Sequence, residues 1–378
     1  MKAALAPMEG VTDWPFRLWM GMIGGFTEAT TPFLRVTDTF PNETLPFSYT
    51  PDARASVDYQ LTPQLMASDP KRFTEVAHQV LNDFDFVELN CGCPSPKVFS
   101  HGAGSQLLAD SKYFASFVSQ IVNDLGPQRL AVKIRLGLEL HSEVFSIADA
   151  LANLPLRRLT VHGRTKKDRY RGSTNWGVIA FLQRQLPFPV IGSGDITSEQ
   201  AWRRVQRSSH HNRTLVGRGA LRNPWIFRQL NLEESCIPDS ETIIASMKCL
   251  YHLHDLAMTA ADTLDELSQG KLLFSIGEGK QEWLKNLQLL ENTQPSRLPN
   301  RHALGRVKLL WNYFRSSLPF SITESAAILR AKDFAQFIDN IGILFSKTQP
   351  FEKTFITYSQ SYDWVYNGGR HEQRAQLT

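Results

Sequence analysis

A polar amide and a thiol leave one apolar run together. Phe84, Phe86, Val87 and Leu89 read as a buried strand, and the chain then breaks in Asn90-Cys91-Gly92-Cys93-Pro94-Ser95-Pro96. Two prolines end regular hydrogen bonding, and Gly92 permits backbone angles that other residues avoid. Cys93 could serve as a nucleophile, an acid, a metal ligand or an inert thiol. Cys91-x-Cys93 lacks the usual two-residue spacing of zinc sites, and Cys236 and Cys249 lie in another region, so a zinc or iron–sulfur site is not expected. Buried thiols are commonly inert, but a proline-bracketed loop is a poor place to bury one. Cys93 is therefore expected to donate a proton or attack, and Cys91, two positions earlier, to point elsewhere. Residues 97–104 hold Lys97, His101, Gly102 and Gly104 and read as a mobile, partly basic loop that suits a lid.

Further polar residues close other apolar runs. They are Met8-Glu9, Gln64, Lys133, Arg135, His162, Arg164, Ser193-Gly194-Asp195 and Gly217-Arg218. Lys133 sits among Val132, Ile134 and Leu136, and burying it there is costly unless it faces a ligand or an anion. His162 ends its run in the same way. Gly192-Ser193-Gly194-Asp195 and Val216-Gly217-Arg218-Gly219 are glycine-rich turns with an arginine nearby, a pattern that lets backbone N–H groups approach a phosphate. Two tight turns that simply need glycine are the plainer explanation of each alone.

The elements that must position these residues alternate. Strands are expected at 3–8, 26–32, 58–66, 84–89, 130–135, 159–162, 190–193 and 214–216. Ser68-Asp69-Pro70 opens a helix whose apolar positions Phe73, Val76, Ala77, Val80 and Leu81 follow helical spacing. Asp110-Ser111 opens another with Phe114, Phe117, Val118, Ile121 and Val122, and Thr197-Ser198-Glu199-Gln200 reads as a capping box. Helices are also expected at 144–151 and 175–186, and residues 38–57 as an irregular insertion. About eight strand–helix alternations fit an α/β fold of the (β/α)8 TIM-barrel type, whose mouth gathers the C-terminal strand ends. An all-helical C-terminal domain follows. The expected division is a barrel over 1–235, a helical domain over 236–348 and an aromatic tail over 349–378.

The chain has 378 residues, 42% hydrophobic and 21% charged, an ordinary globular composition with ample core. Four cysteines do not make a disulfide scaffold, residues 1–9 are too soon acidic for a signal peptide, and no run approaches a membrane span. A cytoplasmic monomer is expected. The formal charge of +4 is a weak argument for a polyanion by itself, so its distribution matters more. Residues 157–171 hold seven arginines and lysines against Asp168 alone, and residues 292–323 carry Arg297, Arg301, Arg306, Lys308 and Arg315. Arg301, Lys308 and Arg315 recur every seven residues beside the stripe Leu304, Val307, Trp311 and Phe314. A charge run is usually a solvated face, but two of them could grip one phosphate backbone.

APMEGVTDWPFR, ELNCGCPSP, GAGSQLL, VKIRLG, HGRTKKDRYRG and GRGALRNPW, in this order over about 5–227, resemble the tRNA-dihydrouridine synthase family. RVKLLWNYFR extends the likeness more loosely into the helical part, and TPFLRVTD with NCGCPS is similar to the bacterial subfamily that reduces uridine 16. The resemblance implies an FMN enzyme that uses NADPH to reduce uridine in the D-loop of tRNA to 5,6-dihydrouridine. It implies Pro7, Met8, Glu9, Gln64, Lys133, His162, Ser193, Gly194, Asp195, Gly217 and Arg218 as cofactor contacts. It implies Asn90 at the substrate and Cys93 as general acid. Arg35, Arg164, Lys308 and Arg315 are expected at the RNA. The chain departs from the family pattern at Ser193-Gly194, where Asn-Gly is usual. The competing expectations are a flavin barrel acting on a free pyrimidine, which the basic helical part and the cysteine spacing oppose, and a non-catalytic RNA-binding protein, which intact Asn90, Cys93 and Lys133 oppose.

Overall fold

In a computed structural model the described residues are 3–37, 52, 57–210, 213–233, 238–259, 272–293, 300–318, 320 and 322–347. Of the 38–57 insertion only Asp52 and Val57 fall within them, and the 349–378 tail, Arg297 and Cys236 lie outside.

Eight parallel strands close on themselves. They are β1 (Ala3–Leu5), β2 (Glu28–Thr30, continued as Leu34–Arg35), β3 (Gln60–Thr62, continued as Gln64–Met66), β4 (Val87–Cys91), β5 (Leu130–Arg135), β6 (Arg158–His162), β7 (Val190–Ser193) and β8 (Thr214–Val216). Each pairs with the next, and β8 pairs back to β1 with Ala4 opposite Leu215, which completes the barrel. Proline explains the two broken strands. Pro32 interrupts β2 and Pro63 interrupts β3, since neither can donate to a ladder. The Pro63 carbonyl still accepts the Glu88 N–H at 2.9 Å.

Period-two alternation sorts the side chains. On β6, Leu159 and Val161 join the large hydrophobic core, while Arg158, Thr160 and His162 fall on the opposite face. The barrel interior is divided. One side is a small apolar cluster, Ala4, Ala6, Ile191 and Leu215. The other is polar, where Arg158 pairs with Glu28 and Thr160 donates to Glu88 at 3.0 Å.

The helices around the barrel begin where their caps dictate. Asp13 accepts the Phe16 N–H to open α1 (Trp14–Ile23), and Asp69 with Pro70 opens α2 (Pro70–Val80). A short turn, α3 (Pro96–Phe99), precedes α4 (Ser111–Leu125), capped by Asp110. Then come α5 (Glu143–Leu151), α6 (Trp176–Gln185), α7 (Glu199–Ser209) and α8 (Arg218–Arg222). The expected capping box at α7 is corrected. Ser198 caps alone through the Ala201 N–H, because Ala201, not a Glu or Gln, occupies the reciprocal position.

The C-terminal part is helical among the described residues: α9 (Ser240–Thr259), α10 (Lys280–Asn292), α11 (Arg301–Phe314), α12 (Ile322–Ala327) and α13 (Phe334–Ser346). It shares one continuous core with the barrel, including Trp19, Trp225, Trp283 and Trp311. The indole N–H of Trp19 donates to the Ser246 carbonyl at 2.8 Å, and those of Trp225 and Trp283 both donate to the Gly277 carbonyl at 3.1 Å. Removing any of these buried indoles costs roughly 3–5 kcal/mol.

Candidate active site at the barrel mouth

A cleft of about 530 Å³ opens at the C-terminal strand ends. Its walls come from Pro7, Met8 and Glu9 after β1, Gln64 on β3, Asn90 and Cys93 at β4, Lys133 and Arg135 on β5, and His162 on β6. Ser193 to Thr197 and Gly217 to Gly219 form the end after β7 and β8. The expected residues from seven strand ends therefore meet in one cavity.

The thiol loop is held from both sides. Asn90 Oδ1 accepts the backbone N–H groups of Gly92 at 3.0 Å and Cys93 at 3.1 Å. The Cys93 carbonyl accepts the Ser105 hydroxyl at 2.9 Å. Gly104 has φ +61°, and a Cβ there would lie 2.8 Å from Val98 and 3.2 Å from the Cys93 Cβ, so glycine is required beside the thiol. Burial pushes the Cys93 thiol up, with the Ser95 N–H and Arg135 pulling it back, so it carries its proton at neutral pH. Cys91 is fully buried in the core behind the sheet, and the same burial keeps it protonated. Residues 97–104 begin in a short helical turn. Lys97 lies in α3, and His101 Nδ1 sits 2.6 Å from the Lys97 carbonyl in a continuing turn.

Positive charge gathers beside the thiol loop. Lys133 reaches the cleft but is enclosed by the barrel, and desolvation lowers its pKa to about 8 although Glu88 supports its charge. Arg135 is lowered to about 10, chiefly by burial, and stays charged. It donates to the carbonyls of Gly92 at 2.7 Å, Thr165 at 3.0 Å and Arg169 at 2.8 Å. Burial, then the surrounding arginines and Lys133, push His162 well below its ordinary value, so the imidazole is neutral. Its Nδ1 is buried without a hydrogen-bond partner.

The far end is rich in glycine. Gly194 has φ +132°, and a Cβ would come within 2.4 Å of Thr174 Oγ1; one on Gly219 would meet the Ile196 carbonyl at 2.1 Å. Asp195, itself at φ 53°, accepts the Thr174 N–H at 3.1 Å and hydroxyl at 2.7 Å, pairs with Arg164 and stands 3.5 Å from Arg218. Thr197 Oγ1 is buried without a partner on this wall.

Three residues expected at the RNA have their charges bonded within the protein. Arg164 is 1% exposed and points behind the wall, bonded to Asp195 and the carbonyls of Arg171 and Gly172. Lys308 donates to the Ala331 carbonyl. Arg315 is buried and donates to Asn312 at 3.1 Å and the Ser325 hydroxyl at 3.2 Å. Arg35, on the second segment of β2, is partly exposed and does not line the cleft. The seven-residue repeat is real, but at Lys308 and Arg315 the edge it marks meets neighbouring segments, while Arg301 at its start is exposed.

Two tyrosines complete the cleft that strand ends alone did not suggest. Tyr170, from the loop after β6, has the guanidinium groups of Arg218 and Arg135 at 5.0 and 5.6 Å from its ring centre. Tyr313 reaches in from α11. The basic 157–171 run carries a signal for Tyr170, an aromatic among cations; Tyr313 has none, because its helix is remote in sequence.

A closed (β/α)8 barrel with a clamped thiol over a cationic cleft is the frame of a barrel enzyme. A family model described as "Dihydrouridine synthase (Dus)" matches residues 4–294, and the chain belongs to that family. It is 31% identical over 262 residues to "tRNA-dihydrouridine(16) synthase" of Neisseria meningitidis serogroup A, covering 68% of this chain and 79% of that one. It is 28% identical over 341 residues to the protein of the same name in Ralstonia nicotianae, covering 88% and 93%. The Yersinia pestis protein of that name is 32% identical over 251 residues, covering 64% and 80%.

Proposed function

We propose that this chain is an FMN- and NADPH-dependent tRNA-dihydrouridine synthase that reduces uridine to 5,6-dihydrouridine in the D-loop of tRNA, at position 16. The observation that carries the reading is the protonated Cys93 thiol, held by Asn90 at the rim of a cleft lined by Lys133, Arg135 and Arg218. The printed names of the relatives support the position.

The residues present fit the cofactor. His162 Nδ1 and Thr197 Oγ1 are buried polar atoms without protein partners on the cleft wall, and Gly194, Gly217 and Gly219 bring main chain to the same wall at one end. Thr197, Arg218 and the glycine turns would hold the phosphate; Pro7, Met8, Glu9, Gln64, Lys133 and His162 would line the ring system. When bound, FMN supplies hydride, and NADPH replenishes it.

The chain's own work is proton supply and orientation. A uracil gaining hydride at C6 builds negative charge at C5 and O4, and the Cys93 thiol delivers a proton to C5 from the opposite side. Asn90, Arg135 and Tyr170 orient the base. The base must leave its stack to enter the cleft. We assign the barrel, 1–235, to chemistry and the helical part, 236–348, to holding the RNA of a cytoplasmic substrate by a monomer.

Dihydrouridine mapping tests this in tRNA from a strain lacking the gene. Loss at position 16, restored by the wild type and not by Cys93→Ala, is the expected result. No loss at any position overturns the proposal, and loss elsewhere overturns the position.

A further inference from the structure

We infer that Glu88, which does not line the cleft, is a positioning residue that orients the side-chain amides of Gln64 and Asn90 and through them holds the main chain of Cys93. The inference rests on the proposed role of Cys93.

The bonds form a directed chain. Glu88 on β4 is fully buried, and its carboxylate accepts Gln64 Nε2 at 2.7 Å and Thr160 Oγ1 at 3.0 Å. Gln64 Oε1 accepts Asn90 Nδ2 at 2.7 Å. Asn90 Oδ1 then accepts the N–H groups of Gly92 and Cys93. A side-chain amide can normally be turned end for end, because one half donates and the other accepts. Here both ends of the chain forbid the turn. The carboxylate of Glu88 only accepts, and the two backbone N–H groups only donate. One orientation of Gln64 and of Asn90 satisfies both ends. The reverse would put carbonyl oxygen against carboxylate and amide N–H against the Cys93 N–H, in a buried site where unmade bonds are expensive.

The relay is cooperative in one respect. Its polarity is fixed at both ends, and Glu88 supplies one of them from two hydrogen bonds away from the Asn90 clamp. Replacing Glu88 by glutamine keeps shape but removes the acceptor-only end and its charge, so the backbone N–H groups of Gly92 and Cys93 alone set the direction and the relay holds them less firmly. Replacing Gln64 by glutamate sets two carboxylates face to face. Making both changes restores the direction: the residue 88 amide donates, the residue 64 carboxylate accepts from it and from Asn90, and Asn90 Oδ1 again faces Cys93.

Hydrogen exchange of the whole protein reads the clamp directly, through the amides of Gly92 and Cys93, with α4 as an internal control. Glu88→Gln and Gln64→Glu are expected to exchange roughly tenfold faster there with α4 unchanged. The double variant is expected to return to within about twofold of the wild type. Turnover on tRNA falls in Glu88→Gln without a matching rise in KM. Unchanged exchange in Glu88→Gln, or a double variant as fast as Gln64→Glu, overturns the inference. Should Gln64→Glu not fold, Thr160→Val removes one donor to Glu88 and must speed the same two amides; no change there overturns it equally. Exchange that follows the relay in a wild type forming no dihydrouridine supports the relay and overturns the proposed activity instead.

Discussion

Arg306 Nη2 lies 2.6 Å from Asp13 Oδ2, so α11 grips the residue that caps α1. The same guanidinium donates to the carbonyls of Gly10 and Val11, in the loop that carries Met8 and Glu9 into the cleft. Burial pushes the Asp13 carboxyl up, and Arg306 is the strongest influence pulling it back. Arg306→Met should lower stability by about 1–3 kcal/mol, the cost of leaving such acceptors unpaired. Urea unfolding checks it, and an unchanged midpoint would show that the strut carries no load.

Cys93→Ala should fold and keep ligand binding while turnover drops by about 10²–10⁴-fold, the usual scale for a lost general acid. The reason is electrostatic. A thiol raised by burial holds its proton at neutral pH, as a donor must. Single-turnover assays with matched tRNA affinity measure the effect, and full activity would end the assignment.

Lys133 should make anion binding pH-dependent. With its pKa lowered from 10.5 to about 8, the cleft loses a cation as pH rises through 8, and affinity for a phosphate-bearing ligand falls. Stability moves the other way. Between about 8 and 10.5 the unfolded chain holds a proton that the folded chain has released, so Lys133 makes stability rise with pH across that window. Lys133→Met should remove both trends. Fluorescence titration of the ligand and urea melts over pH 7–10 check the two signs.

Alternation and turn chemistry make much of the later barrel legible in the chain. The ends of β5, β7 and β8 come out residue for residue, because each apolar run stops at a polar residue or glycine. The early barrel was harder to see, since Pro32 and Pro63 split β2 and β3 into segments of two or three residues. The cleft was legible wherever a strand end built it. Tyr313 was not, because it enters from another region, and Arg164 misled because charge in a basic run says nothing about the carboxylate of Asp195 buried beside it. Periodicity places residues on one helix edge without saying which neighbour that edge meets.

That last ambiguity decides which basic residues can meet RNA. Lys308 and Arg315 share the edge with Arg301, yet their charges are bonded within the helical part. Arg301 sits at the start of α11 and is exposed. A phosphate contact releases counterions and steepens the dependence of binding on salt, whereas an internal bond does not. Arg301→Glu should therefore weaken tRNA binding and flatten its salt slope by about one unit. Lys308→Met should lower the melting temperature and leave the slope unchanged. Filter binding from low to moderate salt separates the two. A slope that responded to Lys308 and not to Arg301 would mean that the phosphate backbone meets this edge at Lys308, further along α11, and not at its start.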